Sequence, residues 1–409
     1  MSSRGYIPKN ILWFSRLLKF FIGGWLRLFY TVEEDGKEIF DTLKPPYVLL
    51  SNHVSTRDPF SIGSLVPAQV YWVTSDGNMR TAAIRILLSM VGSIPKSKAI
   101  PDRETVRMII DVIRKDKGIV GIFPEGQASW DGRTLPIIPS TGKLLKLLKV
   151  PVVSVVIEGG FFSLPRWTWT RRSGKLRFAY KLLLEREELA AMPVNEILER
   201  VERGLSHDEY ACRSLEGISW KSPARAEFLE LSLYACPICG EIGGIASRGH
   251  EIGCAFCGFR SRLDRSMRFK SVGASPIGPS TISEWDDIQA RIVGKAAARA
   301  ISEGRSESLF SDAGAILLRG RKMRPLERIG RGSLAIFRDR LEFVGRDGRV
   351  ARFPIVDIEG AGVLKRNLFE FYIRRDLHQF RFDDRRKSAR KWFDMSMALA
   401  AASRSRPGP

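Results

Sequence analysis

Histidine and cysteine are scarce in this chain, and both scarcities are informative. Of 409 residues, four are histidine and five are cysteine. No cysteine precedes Cys212 and no serine stands in a nucleophile motif, so the first half offers no cysteine or serine candidate for a covalent acyl intermediate. Five cysteines do not build a disulfide framework across so long a chain. Four of them form two C-x-x-C pairs, which points instead to a metal site in a reducing compartment. Acidic residues are outnumbered, 45 Asp and Glu against 66 Lys and Arg, for a net charge of +21. Such an excess favours an anionic partner, either nucleic acid or an anionic membrane. A hydrophobic content of 44% excludes a disordered chain, and the length predicts two or three domains.

The N-terminal run at residues 11–30, ILWFSRLLKFFIGGWLRLFY, is interrupted by Arg16, Lys19 and Arg27. It is therefore neither a clean signal-peptide core nor a good membrane span. On a helix those three cations fall within about 80° of one another, leaving a broad apolar face with Trp13, Phe14, Phe20, Phe21 and Trp25 in the run. That pattern suits a helix lying in a membrane interface; the alternative is a helix packed on the protein's own core with snorkelling cations.

From about 45 to 185, strand-like strings (YVLLSN, VYWVTS, GIVGIF, VPVVSVVIEG) alternate with helical ones (TAAIRILLSMVG, TVRMIIDVIRKD, GKLLKLLK). The alternation predicts an α/β domain with a largely buried sheet. The character changes after Ser222-Pro223. Residues 225–268 hold the paired cysteines among Gly-rich turns, and 273–281, GASPIGPST, reads as a linker. A helix follows, with Ser283 as its candidate cap. Short β-like segments from 313 to 383 then precede a closing helix, SARKWFDMSMALAAA. This last pattern resembles the pleckstrin-homology or GRAM type of small barrel by topology alone. The domain plan is thus 1–40 for the interface helix, 41–215 for the α/β domain, 225–268 for the cysteine module and 280–409 for a basic C-terminal module.

Two segments carry candidate chemistry. SNHVSTRDPF, residues 51–60, sets His53 five residues before Asp58. An acid that accepts a hydrogen bond from one ring nitrogen fixes the tautomer and raises the basicity of the other. On an ideal helix the two residues would lie about 140° apart, so a turn must bring them together. Asp58-Pro59 also reads as a helix start, with Asp58 at the N-cap, and capping is the competing role for that carboxylate. IFPEGQAS, residues 122–129, places a Pro-Glu-Gly turn at the end of a strand, where α/β domains hold ligands.

Taken together, Asn52, His53 and Asp58, then Phe123, Pro124, Glu125 and Gly126, then the Val-rich strand at 150–157, resemble the PlsC-type glycerolipid acyltransferases in order and spacing. GSIPKSK, residues 92–98, falls where that family has a block ending in a basic residue. The resemblance covers about residues 10–200 and implies acyl transfer from a thioester, acyl-CoA or acyl-carrier protein, to a lysophospholipid hydroxyl, as in phospholipid biosynthesis. It implies His53 as general base, Asp58 as its partner, and direct attack by the acceptor. Asn52, Phe123, Pro124, Glu125 and Gly126 then belong to the substrate site. The family's third block usually continues Thr-Arg-Ser, its Arg holding the acceptor's phosphate. Here Gln127-Ala128-Ser129 stands instead, with Lys96, Lys98 or Arg133 as candidate replacements, and lysophosphatidic acid leads the acceptors.

Cys236-Pro-Ile-Cys239 and Cys254-Ala-Phe-Cys257, each followed by glycine, suit a four-cysteine zinc ribbon. Four protein ligands leave no open position, so the zinc is expected to be structural. His250 lies outside both pairs, and Cys212 is left over as an inert thiol. The composite expectation is a peripheral enzyme on the cytoplasmic face of an anionic membrane. A nucleic-acid-binding ribbon protein, suggested by RKMRPLER and RRKSARK, leaves the N-terminal helix and the His–Asp and Pro-Glu-Gly blocks unexplained. A non-catalytic lipid-binding adaptor on the same fold is the third reading.

Overall fold

Tyr47–Ser51 is buried at every residue, as expected of an apolar run covered on both faces of a sheet. The computed structural model describes residues 8–9, 11–97 and 102–404, so Lys98 lies outside the described residues. The chain divides into two units, Met1–Arg166 with Arg171–Lys221, and Trp167–Thr170 with Ser222–Pro409.

In the first unit α1 (Leu12–Phe29) leads into β1 (Tyr30–Asp35), α2 (Ile39–Thr42), β2 (Tyr47–Ser51), α3 (Asp58–Leu65) and β3 (Val70–Ser75). Then come α4 (Ala82–Met90), β4 (Ile94–Lys96), α5 (Arg103–Arg114), β5 (Ile119–Ile122), α6 (Ser140–Leu148) and β6 (Val152–Glu158). The unit ends with α7 (Gly160–Ser163), β7 (Gly174–Leu184), α8 (Arg186–Ala191) and α9 (Val194–Leu205). Among the described residues the sheet order is β1-β7-β6-β2-β5-β3-β4, parallel except for β6 against β7.

Register positions the site. Leu50 pairs with Ile122, and three residues beyond each of these two the chain brings His53 beside Glu125. Ser51 pairs with Val155 on the other side, setting Asn52 against the end of β6. Helix α5 shows why such segments dock: Asp102 caps it by accepting from the Thr105 N–H, and Thr105, Ile109, Val112 and Ile113 form its buried stripe.

Helix α1 packs beside α3 through Gly23. Lys19 does not snorkel. Its ammonium donates to the carbonyls of Val66 (3.0 Å) and Ala68 (2.7 Å), just past the end of α3, and burial pushes its pKa down to about 8. Phe14 and Trp25 are partly buried, whereas Leu12, Trp13, Leu17, Phe20, Phe21 and Leu28 are exposed. Among the described residues no helix is long and apolar enough to cross a membrane.

The second unit has an antiparallel sheet of β8 (Ile245–Arg248), β9 (Glu251–Cys254), β10 (Arg260–Leu263) and β11 (Phe269–Ser271). After α10 (Ile282–Ser302) come β12 (Phe310–Gly320), β13 (Glu327–Ile336), β14 (Arg340–Gly345), β15 (Val350–Pro354), β16 (Ile358–Leu364), β17 (Leu368–Ile373) and β18 (Asp376–Phe382). These strands curl into one antiparallel sheet, β15-β14-β13-β12-β18-β17-β16, and α11 (Ala389–Arg404) closes it. The α10 cap is Thr281, whose hydroxyl accepts from the Glu284 N–H, and not Ser283, which is buried one residue inside the helix.

Candidate active site and metal centre

The turn between β2 and α3 folds on the Asp58 carboxylate. Oδ2 accepts the backbone N–H groups of Val54 and Ser55, each at 2.8 Å, and the same oxygen lies 2.8 Å from His53 Nδ1. Asp58 is therefore not the cap of α3. The preceding Arg57 holds the cap position, and the carboxylate reaches back into the 53–55 turn. With an ionised acceptor at Nδ1, that nitrogen carries the ring proton and Nε2 presents a lone pair.

A column of rings holds the imidazole. Phe123 stacks on His53 at 4.2 Å between centroids, and Trp72 stacks on Phe123 at 4.8 Å. Gly121 makes room for it, since a Cβ there would lie 2.5 Å from the Trp72 ring. Trp72 escaped the sequence reading; its only signal was an inward position in a strand whose partner carries a glycine. Gly126 adopts φ +73°, which the Phe123–Gly126 turn requires, and Pro124 accepts the Ile138 N–H through its carbonyl.

Glu125 is buried and bridges two loops. Oε1 accepts the His53 N–H at 2.6 Å and Oε2 accepts the Leu135 N–H at 2.7 Å. Both oxygens are thus engaged, one on the His53 turn and the other on the loop at Leu135. Asn52 is likewise a brace, its side-chain amide exchanging two hydrogen bonds with the backbone of Ile157. Burial is the largest influence on Glu125 and pushes its pKa up to about 8, against the lowering effect of its two N–H donors. A carboxyl with a higher pKa folded than unfolded contributes stability that is complete at low pH. That contribution is lost as the pH rises through about 8. The urea midpoint should therefore fall between about pH 5 and about pH 9, and fall less in Glu125→Gln. Equal pH slopes for the two proteins would remove Glu125 as the source.

Of the candidate replacement cations, Arg133 and Lys96 are among the described residues. Arg133 is held by Asp131, with Nε and a terminal nitrogen both 2.6 Å from Oδ2. Lys96 ends edge strand β4, three strands from β2, or about 14 Å at ordinary strand spacing. At Ala128 the carbonyl accepts a 2.7 Å hydrogen bond from Arg166, whose guanidinium lies 3.9 Å over the Trp130 ring. Ser129 N–H donates to the His53 carbonyl at 2.8 Å, so this segment borders the His53 turn.

In the second unit the sulfurs of Cys236, Cys239, Cys254 and Cys257 lie within 4.8 Å of one another. Cys236 to Cys257 is 3.6 Å and Cys239 to Cys254 is 3.8 Å. Four thiolates about 2.3 Å from one tetrahedral ion would be about 3.8 Å apart, so the set fits zinc. Gly240 and Gly258, at φ +79° and +74°, close the two knuckles. His250 is not among the ligands; its Nδ1 accepts the Arg225 N–H. Cys212 sits beside Ser214 in the first unit, where burial pushes its thiol up.

Residues 31–158 match the family model described as Acyltransferase. A 1-acyl-sn-glycerol-3-phosphate acyltransferase of Saccharomyces cerevisiae is 25% identical over 119 residues, 28% of this chain and 39% of that protein. The chloroplastic 1-acyl-sn-glycerol-3-phosphate acyltransferase BAT2 of Brassica napus is 28% identical over 134 residues, 32% of this chain and 38% of that one. The chain thus spans under two fifths of the length of these curated relatives. The crystal structure of the 1-acyl-sn-glycerophosphate (LPA) acyltransferase PlsC from Thermotoga maritima aligns at 20% identity and a TM-score of 0.40, over 46% of this chain and 77% of that one. Over residues 31–158, then, the chain matches the Acyltransferase family and is similar to 1-acyl-sn-glycerol-3-phosphate acyltransferases.

Proposed function

We propose that this protein moves a fatty acyl group from an acyl thioester, acyl-CoA or acyl-carrier protein, to the free hydroxyl of a lysophospholipid. Lysophosphatidic acid is the leading acceptor, and the product enters phospholipid biosynthesis. The observation that carries the reading is the His53–Asp58 pair at 2.8 Å, set at the C-terminal end of a parallel strand within the acyltransferase match. Nε2 of His53 takes the proton of the hydroxyl as its oxygen attacks the thioester carbonyl, and Asp58 stabilises the imidazolium that forms. The collapsing intermediate expels the thiolate, which recovers the proton, so His53 ends neutral and no acyl-enzyme is needed.

In this reading the enzyme works at the cytoplasmic face of an anionic membrane. The apolar face of α1 supports it: Phe20 is 75% exposed and Phe21 63%, with Ile86 and Leu87 exposed on α4. The N–H groups of Lys9 and Ile11 donate to the Ser89 and Met90 carbonyls, tying the approach to α1 to the end of α4. In the second unit the four-cysteine cluster holds a structural zinc.

A single assay tests the reading. Full-length protein is mixed with anionic vesicles carrying a panel of lysophospholipids and an acyl thioester, then sedimented. Acylated lipid should form and protein should pellet with the vesicles, while Phe20→Ser/Phe21→Ser should shift protein to the supernatant. If no acceptor in the panel is acylated, the enzymatic reading fails; if the double variant pellets like wild type, the role of α1 fails.

A further inference from the structure

Among the described residues, two cations near the His53 turn and the end of α1 have no anionic partner. Arg57 directly precedes Asp58, and its guanidinium lies 5.0 Å from the centre of the Trp25 ring. Arg171 lies 5.6 Å from the same ring and 3.4 Å over Phe29, one helical turn further along α1. Among the described residues no carboxylate forms an ion pair with either, and Nε of Arg171 is buried without a hydrogen-bond partner. A guanidinium stacked by its face keeps its N–H donors in its own plane, directed away from the ring and available to an anion. Nε of Arg171 is the donor held away from water, and leaving it unanswered is costly, while Arg57 beside it is open to solvent and to an incoming anion.

The surroundings specify where that ligand lies. Arg172 donates through its backbone N–H to the Ser163 carbonyl and through a guanidinium nitrogen to the Phe162 carbonyl, which anchors the arginine pair 171–172 on α7. Gly160 of α7 sits against Val54, the residue after His53, so close that a Cβ at Gly160 would meet Val54 Cγ2 at 2.6 Å. Tyr30 marks the convergence. Burial raises its pKa, while its hydrogen bond with Ser163 and the charges of Arg171, Arg57 and Arg172 all oppose the rise. The cations therefore gather at the C-terminal end of a helix whose outer face presents Phe20, Phe21 and Leu28, and Arg57 belongs to the same turn as His53. An amphiphile lying along α1 would bring its phosphate here and its chain against that face.

We infer that Arg57 and Arg171 form a phosphate-recognition site for the head group of the acyl acceptor, the specificity element of the catalytic centre. The inference rests on the acyl-transfer reading for its occupant, and the site itself is testable without turnover.

The test uses full-length wild type, Arg57→Ala, Arg171→Ala and the double variant. Lysophosphatidic acid and a monoacylglycerol of the same chain serve as alternative acceptors. Each arginine answers a phosphate by charge-assisted hydrogen bonds, so the double variant should raise KM for lysophosphatidic acid about 10–100-fold, with a smaller change in kcat. Preference over monoacylglycerol should fall by the same factor, and Arg57→Lys, a point charge at an exposed position, should restore part of it. An unchanged preference, an equal loss with both acceptors, or a rise confined to the KM of the acyl donor would each overturn the assignment; the last would give the site to the donor's phosphates. In a second arm, calorimetry with short-chain lysophosphatidic acid is run on His53→Ala protein with and without the two arginines. Binding that depends on them in a protein whose wild type acylates nothing sinks the acyl-transfer reading and leaves the anion site standing. Binding indifferent to them sinks the anion site whatever the turnover.

Discussion

Replacing His53 by alanine is expected to lower kcat for lysophospholipid acylation by a factor of about 10²–10⁴, the range for loss of a positioned general base. The side chain is 19% exposed and accepts no burden of the fold beyond its contact with Phe123 and Asp58, so the melting temperature should change little. Asp58→Ala is expected to behave differently. It removes the group that sets the imidazole tautomer, and it also strips the acceptor from the Val54 and Ser55 N–H groups. Each buried donor left without a partner costs about 1–3 kcal/mol, so this variant should lose stability as well as turnover. Steady-state kinetics with matched thermal melts separates the two patterns. Turnover that survives His53→Ala would overturn the mechanism, and an Asp58→Ala protein as stable as wild type would overturn the structural half of the account.

The second large effect is expected at the cysteine cluster. Chelation or Cys236→Ser should release about one zinc per chain and lower the melting temperature of the second unit by roughly 10 °C. The size follows from what the first knuckle touches. Gln289 of α10 accepts the N–H groups of both Tyr234 and Ala235 with one oxygen, at 2.7 and 3.1 Å, and Trp285 donates to the Ala235 carbonyl at 2.8 Å. The Tyr234 hydroxyl donates to Asp394 of α11 at 2.7 Å. Arg390, also on α11, is largely buried between Asp286 and Asp394, its side chain 11% exposed. A buried ion network of this kind tolerates little displacement, because each charge is satisfied only by its neighbours. Loosening Cys236 therefore disturbs α10 and α11 together, beyond the ribbon itself. Metal content measured alongside melting tests the claim; a variant without metal that melts like wild type would refute it.

Much of the architecture was legible in the residues. The strings at 47–52, 70–75, 119–123 and 150–159 contain strands because branched, aromatic and other apolar residues dominate them, and between them α5 shows the three-to-four spacing of a buried stripe. The cysteine spacing was legible for the same kind of reason, since two knuckles are local structures closed by their own glycines. Local pattern was less reliable where a polar side chain had several partners within reach. Asp58 next to Pro59 reads as a cap, yet its carboxylate answers the turn before it. Lys19 reads as a snorkelling cation, yet it closes the carbonyl end of α3 from another helix. Ser283 and Thr281 both suit a cap, and a two-residue shift in the helix start decides between them.

What the sequence by itself determined is the inventory: the α/β order, the His53–Asp58 spacing, the Pro-Glu-Gly turn, the two pairs of thiols and a large positive charge. Each is set by neighbours a few residues apart, so pattern and composition suffice. Tertiary structure alone decided which groups meet. Parallel register carried Glu125 to the backbone of His53 across 72 positions, Gly121 admitted Trp72 to the ring column, and α7 delivered Arg171 to the aromatic end of α1. Those meetings depend on strand order and close packing between distant segments, and no local periodicity encodes them.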